Sequence, residues 1–148
     1  MKRKFGYEIV EHSAAPVERV FDLLADGAGW SRWAGPAVRH SSWAREGTPA
    51  PGGVGAIRRL GSKRGFAVSE EIVAYDRPHH LAYRIVSPPV VRDYLADVHL
   101  TPEGDGTRIA WSATFDQRWP GTGRILATGL TASVRDLARR LARAAART

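Results

Sequence analysis

Residues 107–117, TRIAWSATFDQ, and residues 122–146, TGRILATGLTASVRDLARRLARAAA, decide the fold between them. In the first stretch Ile109, Trp111, Ala113 and Phe115 alternate with Arg108, Ala110, Ser112 and Thr114. That period of two sends one set to each face of a β-strand. In the second stretch Leu126, Leu130, Val134, Leu137 and Leu141 recur at spacings of 4, 4, 3 and 4, while Arg135, Arg139 and Arg143 fall on the opposite side. This is the stripe of an amphipathic helix. Pro120 precedes the helix and Thr122 is placed to cap it. The chain therefore passes from a strand into one long terminal helix within a few residues.

Reading backwards, Asp93–Thr101 alternates as well, with Tyr94, Ala96, Val98 and Leu100 opposite Asp93, Leu95, Asp97 and His99. Glu103-Gly104-Asp105-Gly106 between the two strands is a hairpin signal. Leu81–Ser87 is a further strand, opened by the turn Asp76-Arg77-Pro78 and broken by Pro88-Pro89. Phe66–Tyr75 and Gly55–Gly61 flank a turn at Ser62-Lys63-Arg64-Gly65, and Val38–Glu46 lies ahead of a Gly- and Pro-rich loop over residues 47–53. At the start, Lys4–His12 alternates with Phe5, Tyr7 and Ile9 on one side. Pro16 is then suited to the first position of a helix striped by Val17, Val20, Phe21 and Leu24. Asp26-Gly27-Ala28-Gly29 ends that helix, and Trp30–Pro36 reads as a second short one with Ser31 as its candidate cap. The order is strand, two helices, six strands, long helix. Helices segregated around an antiparallel sheet make an α+β fold.

The composition narrows the function classes. A chain of 148 residues fits one domain, residues 1–148, large enough to bury a core. It carries 22 Lys and Arg against 15 Asp and Glu, a net charge of +7. Residues 1–4 and 121–148 together hold +8, which leaves −1 for the 116 residues between them. The basic excess belongs to the N-terminal tip and one face of the last helix, so no nucleic-acid partner is expected from it; a solvated helix face is the favoured reading, and binding of nucleic acid or an anionic membrane through Arg135, Arg139, Arg140, Arg143 and Arg147 is the lesser alternative. With no Cys there is no disulfide scaffold, thiolate metal site or Cys nucleophile. No apolar run approaches the ~18 residues of a membrane span, and no signal peptide is visible, so the expected location is the cytoplasm.

The last three strands sort cleanly into an apolar inner face and a polar outer one. The third and fourth do not. One choice puts Ala56, Arg58 and Leu60 inside with Val68, Glu70 and Ile72. The other puts Ile57 and Arg59 inside with Ala67, Ser69, Glu71, Val73 and Tyr75. On the first choice Arg58 and Glu70 enter the interior from adjacent strands, where a pair is tolerable and a lone charge is not. The five Trp either line a cavity for a flat apolar ligand or pack an ordinary core, and Tyr83 and Tyr94 either donate to a ligand carbonyl or tie to backbone. His12, His40, His79, His80 and His99 show no metal-ligand spacing, His79-His80 reads as exposed, and no metal site or cofactor is expected.

The element order, with its local motifs, resembles the SRPBCC or START-like superfamily, in its bacterial polyketide cyclase/dehydrase-like branch. The likeness is carried by Ala14–Asp26, Trp30-Ser31-Arg32-Trp33, Gly53–Leu60, Glu70–Tyr83, Leu100-Thr101-Pro102 and Gly106–Trp111. It implies a helix-grip fold, a curved seven-stranded antiparallel sheet around the C-terminal helix with a hydrophobic cavity between them. It also implies a polyketide-, lipid- or terpenoid-like ligand, either cyclised or dehydrated there or merely carried. The expected ligand-binding residues are Trp33, Arg58, Glu70, Tyr83, Tyr94, Trp111, Phe115, Leu126 and Leu130. Arg58 and Glu70 are the candidates for any catalysis, and the N-terminal half of the last helix is expected to cover the cavity.

Overall fold

The computed structural model describes residues 4–62 and 67–147. The expected turn at Lys63-Arg64-Gly65, Phe66 at the head of the fourth strand, and Lys2 and Arg3 of the basic tip lie outside the described residues. The described residues form β1 (Lys4–Ser13), α1 (Val17–Ala25), β2 (His40–Arg45), β3 (Ile57–Gly61), β4 (Ala67–Asp76), β5 (His80–Ser87), β6 (Val91–Glu103), β7 (Gly106–Gln117) and α2 (Gly123–Ala146). Two 3-10 helices, Gly27–Arg32 and Gly35–Ala37, stand between α1 and β2. The seven strands make one antiparallel sheet in the order β1-β7-β6-β5-β4-β3-β2. Bulges between Trp43 and Arg45, Ser69 and Glu70, Ile72 and Ala74, and Arg92 and Leu95 break its ladders. Each bulge bends its strand and deepens the local twist, which curves the sheet around α2.

Small departures from the sequence reading have local causes. Pro16 is the N-cap of α1, in extended backbone, and the helix begins one residue later. The second expected helix is the pair of 3-10 turns. Gly27, Gly29, Gly35 and Pro36 are poor α-helix interior residues, and Trp33 N–H closes back onto the Trp30 carbonyl at 3.0 Å. Ser31 is inside the first turn and does not cap it: its backbone N–H donates to Ser41 Oγ at 2.9 Å. Thr122 is the N-cap of α2 by position, but its hydroxyl donates to the Trp119 carbonyl at 2.6 Å.

The concave face and α2 share the core. Val134, Leu137, Ala138, Leu141, Ala142 and Ala145 of α2 are buried, and the alanines let the helix approach the sheet closely. Ser13 Oγ donates to the Ala142 carbonyl at 2.7 Å and fixes that end. At the other end Gly123 lies so close to the Phe5 ring that a Cβ would overlap it. Arg135, Arg139 and Arg143 are exposed, as the stripe requires, and Arg139 donates to Glu11 at 2.9 Å. Among the described residues no helix is long and apolar enough to cross a membrane.

Candidate functional site

The sheet register decides the question left open by alternation. Arg58 and Glu70 are direct partners across β3 and β4, and both side chains point inward: Arg58 is fully buried and Glu70 is 8% exposed. Arg58 Nε donates to Glu70 Oε1 at 2.9 Å. Its guanidinium carbon lies 4.3 Å from the centre of the Trp30 ring and 4.7 Å from that of Tyr83. The cation is therefore held between two aromatic rings, contacts worth about 2 kcal/mol each when desolvated.

The C-terminus of α1 supplies the rest. The last carbonyls of a helix lack intrahelical partners and carry partial negative charge. The Leu24 carbonyl accepts from Trp30 Nε1 at 2.8 Å and from Arg58 Nη1 at 3.4 Å. Arg58 Nη2 is buried without a hydrogen-bond partner among the described residues.

Beside this cluster runs a chain of aromatic rings. Phe5 stacks on Phe115, Phe115 on Tyr94, Tyr94 meets Tyr83, Tyr83 meets Trp111 edge-on, and Trp111 leads through Trp30 to Trp33. Centroid separations run from 4.8 Å for Trp30–Trp33 to 6.5 Å for Tyr83–Trp111. Trp111 Nε1 donates to Tyr83 Oη at 3.1 Å, and the Tyr7 and Tyr94 hydroxyls share a 2.5 Å hydrogen bond.

A cavity of about 200 Å3 opens between this layer and α2. Trp30, Glu70, Tyr83 and Tyr94 line it from below, Leu60, Val68 and Ile85 from the sheet, and Leu130, Val134 and Leu137 from the helix. Ala37, Ser62 and Ser133 stand at its more exposed edge. Of the residues named from the sequence, Glu70, Tyr83, Tyr94 and Leu130 are on the wall. Arg58, Trp33, Trp111, Phe115 and Leu126 stand off this wall. Arg58 lies behind Trp30 and Tyr83, Trp111 behind Tyr83, Phe115 against Tyr94, and Trp33 against Trp30. Leu126 sits one turn from Gly123, where the helix is pressed onto Phe5, while Leu130, Ser133 and Val134, later in the N-terminal half of α2, and Leu137 just beyond it face the cavity, in line with the expectation that this half covers it. Val38, Ile85 and Val134 also line the wall, and the helix stripe marks Val134 as inward-facing without telling cavity wall from packed core.

Burial sets the protonation of these groups. It pushes the Glu70 carboxyl above the usual carboxylate range, an effect the neighbouring Arg58 only partly offsets. It pushes the Tyr7 phenol up to about 12, and those of Tyr83 and Tyr94 well above the usual value. At neutral pH these phenols are neutral: they can hydrogen-bond a ligand oxygen but do not serve as bases. Among the described wall residues, Glu70 carries the one carboxyl, and burial favours its protonated form.

The reading of the histidines is also corrected. His80 is half-buried, and it lies with Asp97 and His99 in one cluster on the opposite face of the sheet.

The model of the family described as polyketide cyclase / dehydrase and lipid transport matches residues 5–146. Uncharacterized proteins of Mycobacterium tuberculosis and Mycobacterium bovis are 28% identical over 109 residues, 72% of this chain and 62% of theirs. The chain thus spans less than two thirds of the length of these curated relatives. Among solved structures, a START superfamily protein from Mycobacterium smegmatis superposes with a TM-score of 0.80 at 12% identity, covering 95% of this chain and 97% of that one. Ara h 8.0201 gives 0.77 at 15% identity, with 97% and 98% covered. A Thermobifida fusca protein gives 0.74 at 26% identity, with 93% of each covered. These likenesses match the seven-stranded sheet and long terminal helix of the helix-grip fold.

Proposed function

The chain belongs to the polyketide cyclase / dehydrase and lipid transport family, and on that premise we propose that it binds a compact, mainly apolar molecule bearing a hydrogen-bonding oxygen. The observation that carries this reading is the cavity wall, which is aliphatic and aromatic apart from the Glu70 carboxyl, the Tyr83 and Tyr94 phenols and two serines at the edge. Apolar walls with a few fixed polar groups are the usual make-up of a small-molecule site. Polyketide-, lipid- and terpenoid-like molecules all have matching chemistry. A volume of about 200 Å3 is below the roughly 300–1,000 Å3 of drug-sized pockets, so the compact members of those classes fit best.

The test is native mass spectrometry of the purified chain, followed by titration with any molecule released, read by Trp fluorescence. Trp30 is on the cavity wall, so occupancy changes its emission. Leu130→Trp fills the cavity from a half-buried helix position and is expected to abolish binding while the protein stays folded. Unchanged affinity in a folded Leu130→Trp protein refutes the site.

A second reading adds chemistry. The Glu70 carboxyl on the wall favours it, since burial raises its hold on a proton and a protonated carboxyl can donate to a leaving hydroxyl while water takes the proton from the carbon alpha to the ketone, which releases water and forms the alkene. Arg58 is not part of that reading, because its guanidinium is behind the wall. Conversion of a poly-β-ketone by the wild type, lost in Glu70→Gln, supports it. Binding without conversion leaves the carrier.

A further inference from the structure

The convex face of the same sheet carries a second cluster. His80 of β5 and His99 of β6 are direct partners in the antiparallel ladder, so their side chains emerge on one face. Asp97 is two residues before His99 and shares that face. The two imidazole rings are stacked, with centroids 4.3 Å apart and planes 3° from parallel. His80 Nε2 lies 2.7 Å from Asp97 Oδ1. One ligand atom from each of the three residues lies within 4.8 Å of the other two. The surroundings form a shallow depression lined by Asp76, His79, His80, His99, Leu100, Thr101 and Pro102. Among the described residues that line it there is no Lys or Arg.

We propose that His80, Asp97 and His99 form a binding site for a divalent first-row transition metal, with Zn2+ as its reference ion. Two imidazoles and a carboxylate are a nitrogen-rich, borderline donor set. It suits Zn2+ and its neighbours, whereas Mg2+ and Ca2+ require mostly oxygen. Tetrahedral Zn2+ with bonds of about 2.0–2.1 Å places donors about 3.4 Å apart. The His80 and Asp97 donors, now 2.7 Å apart, therefore open by about 0.7 Å, the His99 donor, within 4.8 Å of both, settles at the same spacing, and the rings fan out from parallel so that both lone pairs converge. His99 is exposed and has room for that rotation, while His80 and Asp97, at 26% and 33% side-chain exposure, are held more firmly. The metal takes the place of the hydrogen bond between His80 Nε2 and Asp97 Oδ1. Three protein donors leave at least one position facing solvent, open to water or an external ligand. The strands preset the site, since two paired backbones fix the spacing of all three Cβ atoms.

The experiment uses the full chain with no affinity tag. Isothermal titration with Zn2+ is expected to give one saturable site per chain, and Co2+ the visible absorption of a low-symmetry complex. His80→Ala, Asp97→Asn and His99→Ala should each weaken Zn2+ binding by at least the ~10–100-fold that loss of a mere supporting partner costs. The control is His12→Ala, because His12 and Glu103 make a two-donor exposed pair at 2.7 Å; it should leave binding unchanged. Imidazole nitrogen NMR should show His80 and His99 shifting together at one equivalent. His99→Gln, at an exposed position, repeats the test should His80→Ala disturb the strand. Absence of saturable binding, full affinity in a folded His99→Ala protein, or shifts confined to His12, His40 or His79 would each overturn the proposal.

Discussion

Removing Glu70 and removing Arg58 are expected to have unequal costs. Glu70→Ala leaves a fully buried guanidinium without its 2.9 Å bond to a carboxylate, with Nη2 already unpartnered among the described residues and Nη1 on a long 3.4 Å bond. A guanidinium cannot shed its proton to escape. The charge-assisted bond is worth about 1.5–3 kcal/mol, and stranding a buried charge brings the cost to about 3–5 kcal/mol. At about 2–4 °C per kcal/mol for a domain of this size, the melting temperature should fall by roughly 6–20 °C. Arg58→Met instead leaves a carboxyl that burial already pushes toward its neutral form. That group can take up a proton, so the cost should be smaller and should grow with pH. Replacing both, as Arg58→Met with Glu70→Leu, removes the charges at similar volume and should recover most of the Glu70→Ala loss. Thermal and urea unfolding of the three variants at pH 5, 7 and 9 measures all of this. A Glu70→Ala cost below about 1 kcal/mol, or one no larger than that of Arg58→Met at pH 7, would refute the reasoning that the pair is a desolvated unit.

Three further outcomes are expected. Because the Glu70 carboxyl is raised, the folded chain binds its proton more tightly than the unfolded chain does. The stabilisation is complete below the ordinary carboxylate value of 4.5 and is lost as pH rises through the raised folded value. Glu70→Gln should thus gain stability relative to the wild type as pH rises above 4.5, and a difference in melting temperature of the opposite slope would mean that Arg58 outweighs burial. Tyr83→Phe removes the acceptor of the buried Trp111 indole N–H, which should cost about 1–3 kcal/mol in urea unfolding and weaken an oxygen-bearing ligand in fluorescence titration. Gly27→Ala would set a Cβ 2.9 Å from both Arg58 Cβ and the Trp43 ring, and should lower stability by about 1–3 kcal/mol; an unchanged melting temperature would show that the 3-10 turn yields there.

The fold was legible because the elements that frame it, β7 and α2 above all, are long and each shows one period. Ile109, Trp111, Ala113 and Phe115 are buried on β7, and Val134, Leu137 and Leu141 on α2. The candidate site was legible only in part. Alternation allowed two faces for Arg58 and Glu70, and what selects one is distant in sequence: the Leu24 carbonyl at the end of α1 and the rings of Trp30 and Tyr83. The extent of the cavity depends on where α2 stands off the sheet, which the contact of Gly123 with Phe5 helps to fix. The His80–His99 pairing was hidden for another reason. Alternation gives the face of His80, Asp97 and His99 but not which residue stands across from which, and that register appears only in the ladder running from His80–His99 to Arg84–Leu95.

Arg58 is better understood as a mould for the cavity than as one of its walls. It touches Trp30, Tyr83 and Glu70, and all three line the cavity. Removing it shifts three wall groups together, so lost binding or turnover in Arg58→Ala cannot tell a ligand contact from a collapsed site. Tyr83→Phe and Glu70→Gln can, since each changes one polar group while the guanidinium keeps both its rings. If Glu70→Gln retains full affinity and Tyr83→Phe does not, the ligand oxygen sits on the phenol. If both retain it while Leu130→Trp does not, the cavity recognises shape alone, and the buried ion pair serves the architecture and not the ligand.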